Sequence, residues 1–211
     1  MPYPTKRTRF NDYVFDVYED VYEPAEDTFL FAENLDVKEG ERVLDVGTGC
    51  GMLGILAAKK ACGVVAVDLN PFAIRCAKKN SALNSVGDKI DFVQASLFTA
   101  INPNFGFDLI LFNSPYLPSD EGEAASWIGR SWAGGINGRE VVDCFISEVS
   151  KHLASCGRVL LMQSTLTGVE ETIRKFSEHG LNAAIKASQK LPFFETLTLI
   201  EASAGTKKET I

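Results

Sequence analysis

From residue 41 onward, short runs rich in Val, Ile, Leu and Phe alternate with stretches whose apolar residues recur at helical spacing. That alternation predicts βαβ units and a parallel sheet. The expected strands are RVLDVG (42–47), GVVAVDL (63–69), KIDFVQA (89–95), FDLILFN (107–113) and RVLLMQS (158–164). Between the first two, Leu53, Leu56 and Ala57 mark a helix over 52–60, and Pro71 suits the first turn of the next one. Val141, Val142, Phe145, Ile146, Val149 and Leu153 lie on one stripe, which predicts an amphipathic helix over 138–155. A further helix is expected over 169–179, ended by Gly180. Two last β-rich runs, 182–188 and 195–202, are separated by a link too short for a parallel crossover, so they should pair antiparallel.

Two segments break the alternation. Residues 11–28 mix aromatic and acidic side chains. Residues 116–137 form a long glycine-rich stretch holding Trp127 and Trp132, and loops of that length inside a compact domain are usually functional. The 211 residues are expected to form one domain. Within it, 1–28 covers a ligand, 116–137 is a substrate loop and 204–211 is a polar tail. With 45% apolar residues the chain can bury a core. Its 21 basic and 28 acidic side chains give a net charge of −7, which argues against a protein built to grip nucleic-acid phosphates. The start MPYPTKRTRF lacks an apolar core of a secretion signal. The five cysteines form no CxxC pair and there are only two histidines, so no metal site is expected and the reducing cytoplasm is the expected location.

The first strand runs into Asp45-Val46-Gly47-Thr48-Gly49-Cys50-Gly51 and then a helix. Glycines at Gly47 and Gly49 let a backbone turn tightly against a ligand at the carboxyl end of a strand. Gly51 comes too early for a dinucleotide fingerprint, and Asp45 would repel a pyrophosphate. An acid at that place suits a ligand with a cationic amino group, such as the methionine part of S-adenosylmethionine. The second strand ends at Asp68, whose carboxylate can accept from a ribose hydroxyl pair. Each feature alone has an ordinary explanation, as a packing turn or a strand-end cap; together they point to a nucleoside site.

The fourth strand delivers Asn113-Ser114-Pro115-Tyr116 to the same edge. Pro115 ends the strand and stiffens the turn. The Asn113 side-chain oxygen and the Ser114 carbonyl can accept both protons of a planar –NH2 group, with Tyr116 on its plane. Such acceptors aim the nitrogen lone pair at an electrophile, and catalysis is then alignment and burial.

These motifs resemble class I S-adenosylmethionine-dependent methyltransferases acting on planar amino groups. More narrowly, the chain resembles the HemK-type glutamine-N5 methyltransferases of translation release factors, in their archaeal and eukaryotic branch. The closer match is carried by VYEPAEDT (21–28), NSPY (113–116) and WAGGINGRE (132–140), and the likeness spans about residues 10–203. It implies a Rossmann-like α/β fold with a mostly parallel seven-stranded sheet, a C-terminal antiparallel hairpin and helices on both faces. It also implies Thr28 near the methionine end of the cofactor, Asp45, Gly47 and Gly49 along the amino-acid part, and Asp68 with Leu69 at the ribose. Ser96 and Leu97 would edge the adenine, and Asn113, Pro115 and Tyr116 would hold the substrate amide. The implied partners are a class I peptide chain release factor and a small zinc-binding activator subunit at the sheet edge formed by 89–95. Two residues depart from the family pattern. Ser114 replaces its first proline, and Ser96 replaces an Asp that accepts from the adenine amino group. Alternatives are methylation of an exocyclic amino group in adenine or guanine, and a nucleoside-binding protein without turnover. Trp127, Trp132, His152 and His179 read as packing residues, and Asp120, Glu121 and Glu123 as a solvated face.

Overall fold

The computed structural model describes residues 6–120 and 122–204; the expectations on Glu121 and on the tail beyond Ala204 fall outside them. The chain opens with a hairpin, β1 (Lys6–Phe10) and β2 (Tyr13–Val17), followed by α1 (Glu26–Glu33). Alternating units follow: β3 (Arg42–Val46), α2 (Met52–Ala57), β4 (Gly63–Asp68), α3 (Pro71–Leu83), β5 (Ile90–Gln94) and β6 (Phe107–Asn113). Then come the short α4 (Trp127–Arg130), α5 (Glu140–Val149), β7 (Leu153–Ser164), α6 (Val169–Glu178), β8 (Leu181–Lys190) and β9 (Thr196–Ala204). Among the described residues no helix is long and apolar enough to cross a membrane.

The seven-stranded sheet has the order β5-β4-β3-β6-β7-β9-β8. Strands β5 to β7 are parallel, and β9 pairs antiparallel with both β7 and β8. This is the Rossmann-like architecture, with the C-terminal hairpin, that the sequence predicts. The central strand β6 is buried on both faces, as its unbroken apolar run requires. Leu109 and Leu111 pack with β2 and the helices α1 to α3, while Ile110 and Phe112 pack with α5 and α6. From β3 the chain runs outward to β5, then returns to the other side of β3 as β6. The carboxyl ends of β3 and β6 therefore flank the point where helices switch faces and a crevice opens.

Two boundaries differ from expectation. The helix predicted over 138–155 is shorter, because Gly138 has φ 70° and Arg139 N–H donates to Asn137 Oδ1 at 3.0 Å, which keeps both in the loop. At its other end Leu153 leaves the helical stripe to pair with Phe107, so β7 starts there and His152 sits in a 3-10 turn, stacked on Phe98 at 4.4 Å. Segment 11–28 contains a strand and a helix start. Backbone polar groups of β2 have nowhere to pair on the main sheet, and two side chains of α3 take them. Asn80 Oδ1 accepts from Asp16 N–H at 2.9 Å, and its Nδ2 donates to the carbonyls of Asp16 and Cys50, each at 2.8 Å. Asn84 pairs with Val14 in the same way.

Asn80 is fully buried and ties the N-terminal hairpin to the glycine turn after β3. Asn80→Ala should destabilise the protein by about 2–4 kcal/mol, because several buried backbone groups lose their partners at once. A urea unfolding midpoint unchanged from wild type would show that the hairpin is held by apolar packing alone.

Candidate active site

The turn after β3 has Gly47, Gly49 and Gly51 at φ 67°, 55° and 89°. Gly51 is required twice over: its φ is left-handed, and a Cβ there would lie 2.9 Å from the Ala77 side chain on α3. The turn wraps over a cavity of about 620 Å³ at the switch between β3 and β6, a volume typical of small-molecule sites. Of the residues expected in a site, Thr28, Asp45, Gly47, Gly49, Asp68, Leu69, Ser96, Leu97, Asn113 and Pro115 all line it.

Asp45 is buried at 1% exposure, with Oδ2 accepting from Thr48 Oγ1 at 2.6 Å and from Gly54 N–H at 3.0 Å. Burial pushes its carboxyl up to about 7, against the pull of those two donors. Asp68 sits across the turn. Its Oδ2 accepts from Gly49 N–H at 2.9 Å and its Oδ1 from Asn70 N–H at 2.8 Å, so the carboxylate is fixed in place. Burial also holds Asp68 above the usual carboxylate range. Two acids with raised affinity for protons, in one crevice, favour a ligand that brings positive charge and hydroxyl donors. Beyond β5, Leu97 adopts φ 46°, a strained conformation for a leucine that places it on the cavity wall beside Ser96.

On the β6 side, Asn113 Nδ2 donates to Asp27 Oδ2 at 3.2 Å and to Thr28 Oγ1 at 3.1 Å. Its Oδ1 is buried with no hydrogen-bond partner among the described residues. Asp27 thereby sets which way the amide faces. It also accepts from Tyr22 Oη at 3.1 Å and from Thr28 N–H at 2.6 Å. Sequence reading missed Asp27 as a site residue; the one available signal was its place in VYEPAEDT. Ser114 compensates for the absent proline, since its hydroxyl donates to the Met162 carbonyl on β7 at 2.8 Å and tethers the turn.

Tyr116 is placed differently from expectation. Its ring is buried with the apolar cluster of α1 to α3 and does not line the cavity. Burial and the charge of Asp27 hold its hydroxyl and that of Tyr22 protonated, far above the ordinary tyrosine value. Tyr22 lines the cavity instead. The loop from 117 to 138 folds back on the turn through Leu117 N–H to the Trp132 carbonyl at 2.9 Å and Gly134 N–H to the Leu117 carbonyl at 2.8 Å. Gly138 packs so tightly that a Cβ would lie 2.4 Å from the Thr167 side chain. Arg139, buried, anchors the end of the loop by donating to the carbonyl of Gly168 at 2.9 Å and to Asp143 at 2.8 Å. Trp127 and Asp120, read from sequence as packing and solvated residues, both line the cavity.

Comparison with known proteins places this geometry in context. The family described as "Methyltransferase small domain" matches residues 23–127. A Methanocaldococcus jannaschii protein named for N5-glutamine methylation of protein is 42% identical over 87% of this chain and 92% of its own length. The human methyltransferase HEMK2 is 32% identical over 87% of this chain and 90% of its own. Among solved structures, the E. cuniculi Mtq2–Trm112 complex, described as methylating the eRF1 termination factor, aligns with a TM-score of 0.70. It is 28% identical, covering 88% of this chain and 99% of that one.

The raised acids make the ligand-free fold sensitive to pH. Between about pH 4 and 7, Asp45 holds a proton in the folded protein that the unfolded chain, with an ordinary carboxyl near 3.8, has already lost. Stability should therefore rise as pH falls from 7.5 to 5.5, and Asp45→Asn should flatten that slope. Parallel thermal melts of the two proteins across this window check it; equal slopes would mean that Asp45 ionises normally.

Proposed function

The chain belongs to the HemK-type protein-glutamine N5-methyltransferase family, in its archaeal and eukaryotic branch, and from that premise we propose that it methylates the side-chain amide of a glutamine in a class I peptide chain release factor in the cytoplasm, using S-adenosylmethionine. The observation that carries the acceptor side is the buried Asn113 Oδ1, left without a donor on a residue that lines the cavity.

The residues present fit the cofactor. Asp45 and the turn at Gly47 and Gly49 would take its amino-acid part, Asp68 and Leu69 the ribose, Ser96 and Leu97 the adenine edge, with Thr28 near the methionine end. When bound, the cofactor supplies a sulfonium methyl, an electrophile needing no metal or covalent enzyme intermediate. The chain's own task is the acceptor. A carboxamide nitrogen is a poor nucleophile because its lone pair is delocalised into the carbonyl. Asn113 Oδ1 and the Ser114 carbonyl accept its two N–H groups, draw electron density onto nitrogen and hold it in line. Asp27 and Thr28 hold the Asn113 amide by its own Nδ2, which leaves its unpartnered oxygen to accept from the substrate. Pro115 shapes the turn that presents both acceptors. Tyr116, packed behind the turn next to Asp27, supports the clamp from below.

A small activator subunit of the kind named in the Mtq2–Trm112 complex is part of this reading. Strand β5 ends the sheet and, among the described residues, pairs only with β4, leaving Phe92 and Val93 half-buried along an edge row of backbone groups. A zinc-binding partner adding a strand there would satisfy that edge. Copurification with such a subunit and a rise in turnover are expected, and a monomer already fully active without it would count against the partner.

Three substitutions separate the roles. Asp68→Ala should weaken S-adenosylmethionine binding by about 2–4 kcal/mol, as two charge-assisted hydrogen bonds vanish; calorimetry reads it. Asn113→Ala should leave that binding near normal and cut turnover at least about a hundredfold. Asp27→Asn should lower kcat in the same sense, because a carboxamide facing Asn113 no longer fixes its orientation. Incubation with labelled cofactor and either a release factor or mixed tRNA, rRNA and DNA tests the substrate class. Label found only in nucleic acid would sink this reading.

A further inference from the structure

Among the described residues, seven large apolar side chains are exposed: Leu69, Leu83, Phe105, Ile136, Leu166, Ile185 and Phe194. Isolated exposed apolar groups need no explanation, but their distribution here is uneven. Leu83 ends α3 and Phe105 precedes β6, which puts both at the amino edge of the parallel strands, and Ile185 lies mid-strand in β8. Leu69 follows β4 and belongs to the cofactor side of the cavity. The remaining three sit on connections at the carboxyl edge, beside the acceptor turn.

Ile136, 85% exposed, is in the loop after β6 and lines the cavity. Leu166 is in the turn after β7, next to Thr167, whose side chain abuts Gly138 of that loop. Phe194, completely exposed, is in the link between β8 and β9. The register Ser164 to Leu197 brings that link to the same edge, and Thr196 N–H donates to Thr165 Oγ1 at 3.0 Å, joining it to the turn that carries Leu166. Phe194 is also held at φ 69°, a conformation costly for an aromatic residue. The link is closed by Leu191 N–H donating to the Glu195 carbonyl at 2.8 Å. Three connections far apart in sequence thus raise one apolar group each on the carboxyl edge of the sheet, with Ile136 among them on the cavity wall.

The charge around them has one dominant sign. Glu26 and Glu195 both lie within electrostatic reach of Tyr116. Asp120, Glu123 and Glu140 stand exposed on the loop side. Against these acids stand Lys190 and Arg130. The latter donates to the Ala124 carbonyl and lies over the Trp127 ring at 5.0 Å.

We propose that Ile136, Leu166 and Phe194 form the docking surface for the protein substrate, and that this surface takes a basic segment whose apolar side chains flank the acceptor glutamine. The inference deepens the proposed function and rests on it. Apolar anchors supply affinity, and nearby charge of one dominant sign supplies orientation. The acids also repel phosphate, so a nucleic acid is a poor occupant of the same rim.

The test uses the full chain and the release factor of its own source. The triple variant Ile136→Ser, Leu166→Ser, Phe194→Asn changes only exposed side chains, and asparagine tolerates the left-handed backbone at 194. Its KM for the release factor should rise at least about tenfold. Its kcat, its affinity for S-adenosylmethionine and its melting temperature should stay near wild type. Leu83→Ser, at the opposite edge, should leave KM unchanged. Salt should weaken the wild-type kcat/KM and affect Glu195→Gln less. A triple variant with wild-type KM overturns the proposal, as does a KM that rises equally with Leu83→Ser. Binding of the release factor measured without the methyl donor separates the two readings. Binding lost in the triple variant supports the surface even if wild type transfers no methyl, a result that would sink the glutamine reading alone. A release factor that wild type does not bind at all overturns the surface.

Discussion

The chain leaves β3 toward one edge of the sheet and comes back beside it as β6, and that reversal governs the rest of the molecule. Because a right-handed crossover puts α2 and α3 on one face and α5 on the other, a crevice opens at the ends of β3 and β6 where the two sets of helices part. The crevice follows from connectivity, before any particular side chain is chosen. What the sequence then adds is placement. Acids and glycines stand at the end of β3, an acid at the end of β4, and a carboxamide at the end of β6. Each strand is pinned by apolar residues on both faces, so these groups are carried on the most rigid part of the fold.

A crevice open to water would serve poorly for a weak nucleophile, and the N-terminal segment closes it. The hairpin β1–β2 is bound to α3 through Asn80 and Asn84, and α1 brings Asp27 and Thr28 to the Asn113 amide from 86 and 85 positions away. One segment therefore meets the site twice: it lines the cavity with Val21 and Tyr22, and it holds the Asn113 amide.

The contrast between what the sequence revealed and what it hid follows from the range of the interactions involved. The strands at 42–47, 63–69 and 107–113 are written in local composition, and the motifs at their ends keep fixed spacing, so Asp45, Asp68 and Asn113 could be placed without coordinates. The limits of α5 could not, because Leu153 satisfies the helical stripe and is taken by pairing with Phe107, a contact 46 positions away in the chain. Asp27 was one acid among several in the segment 11–28; only its partner on β6 makes it part of a site. Tyr116 was misplaced for a related reason. Its neighbours in sequence face the cavity, but the turn made by Ser114 and Pro115 sends the ring into the core. The apolar side chains at 136, 166 and 194 have no sequence pattern in common, since three separate connections bring them together.

A final constraint links stability to chemistry. Leaving the Asn113 oxygen buried without a donor costs a folded protein roughly 1–3 kcal/mol, and the two raised acids, Asp45 and Asp68, also cost stability as pH rises. These costs fall at the carboxyl ends of β3, β4 and β6, on strands buried in the two apolar clusters. A donor amide at Asn113 recovers the first, and a cationic ligand recovers the second. On the proposed reading, binding relieves strain that the fold already contains, and the groups are set before the methyl group moves. Asp27, Thr28 and the Ser114 tether hold the Asn113 turn in place before any ligand arrives; in that reading they serve alignment, and the proton that the methylated nitrogen must lose leaves to water.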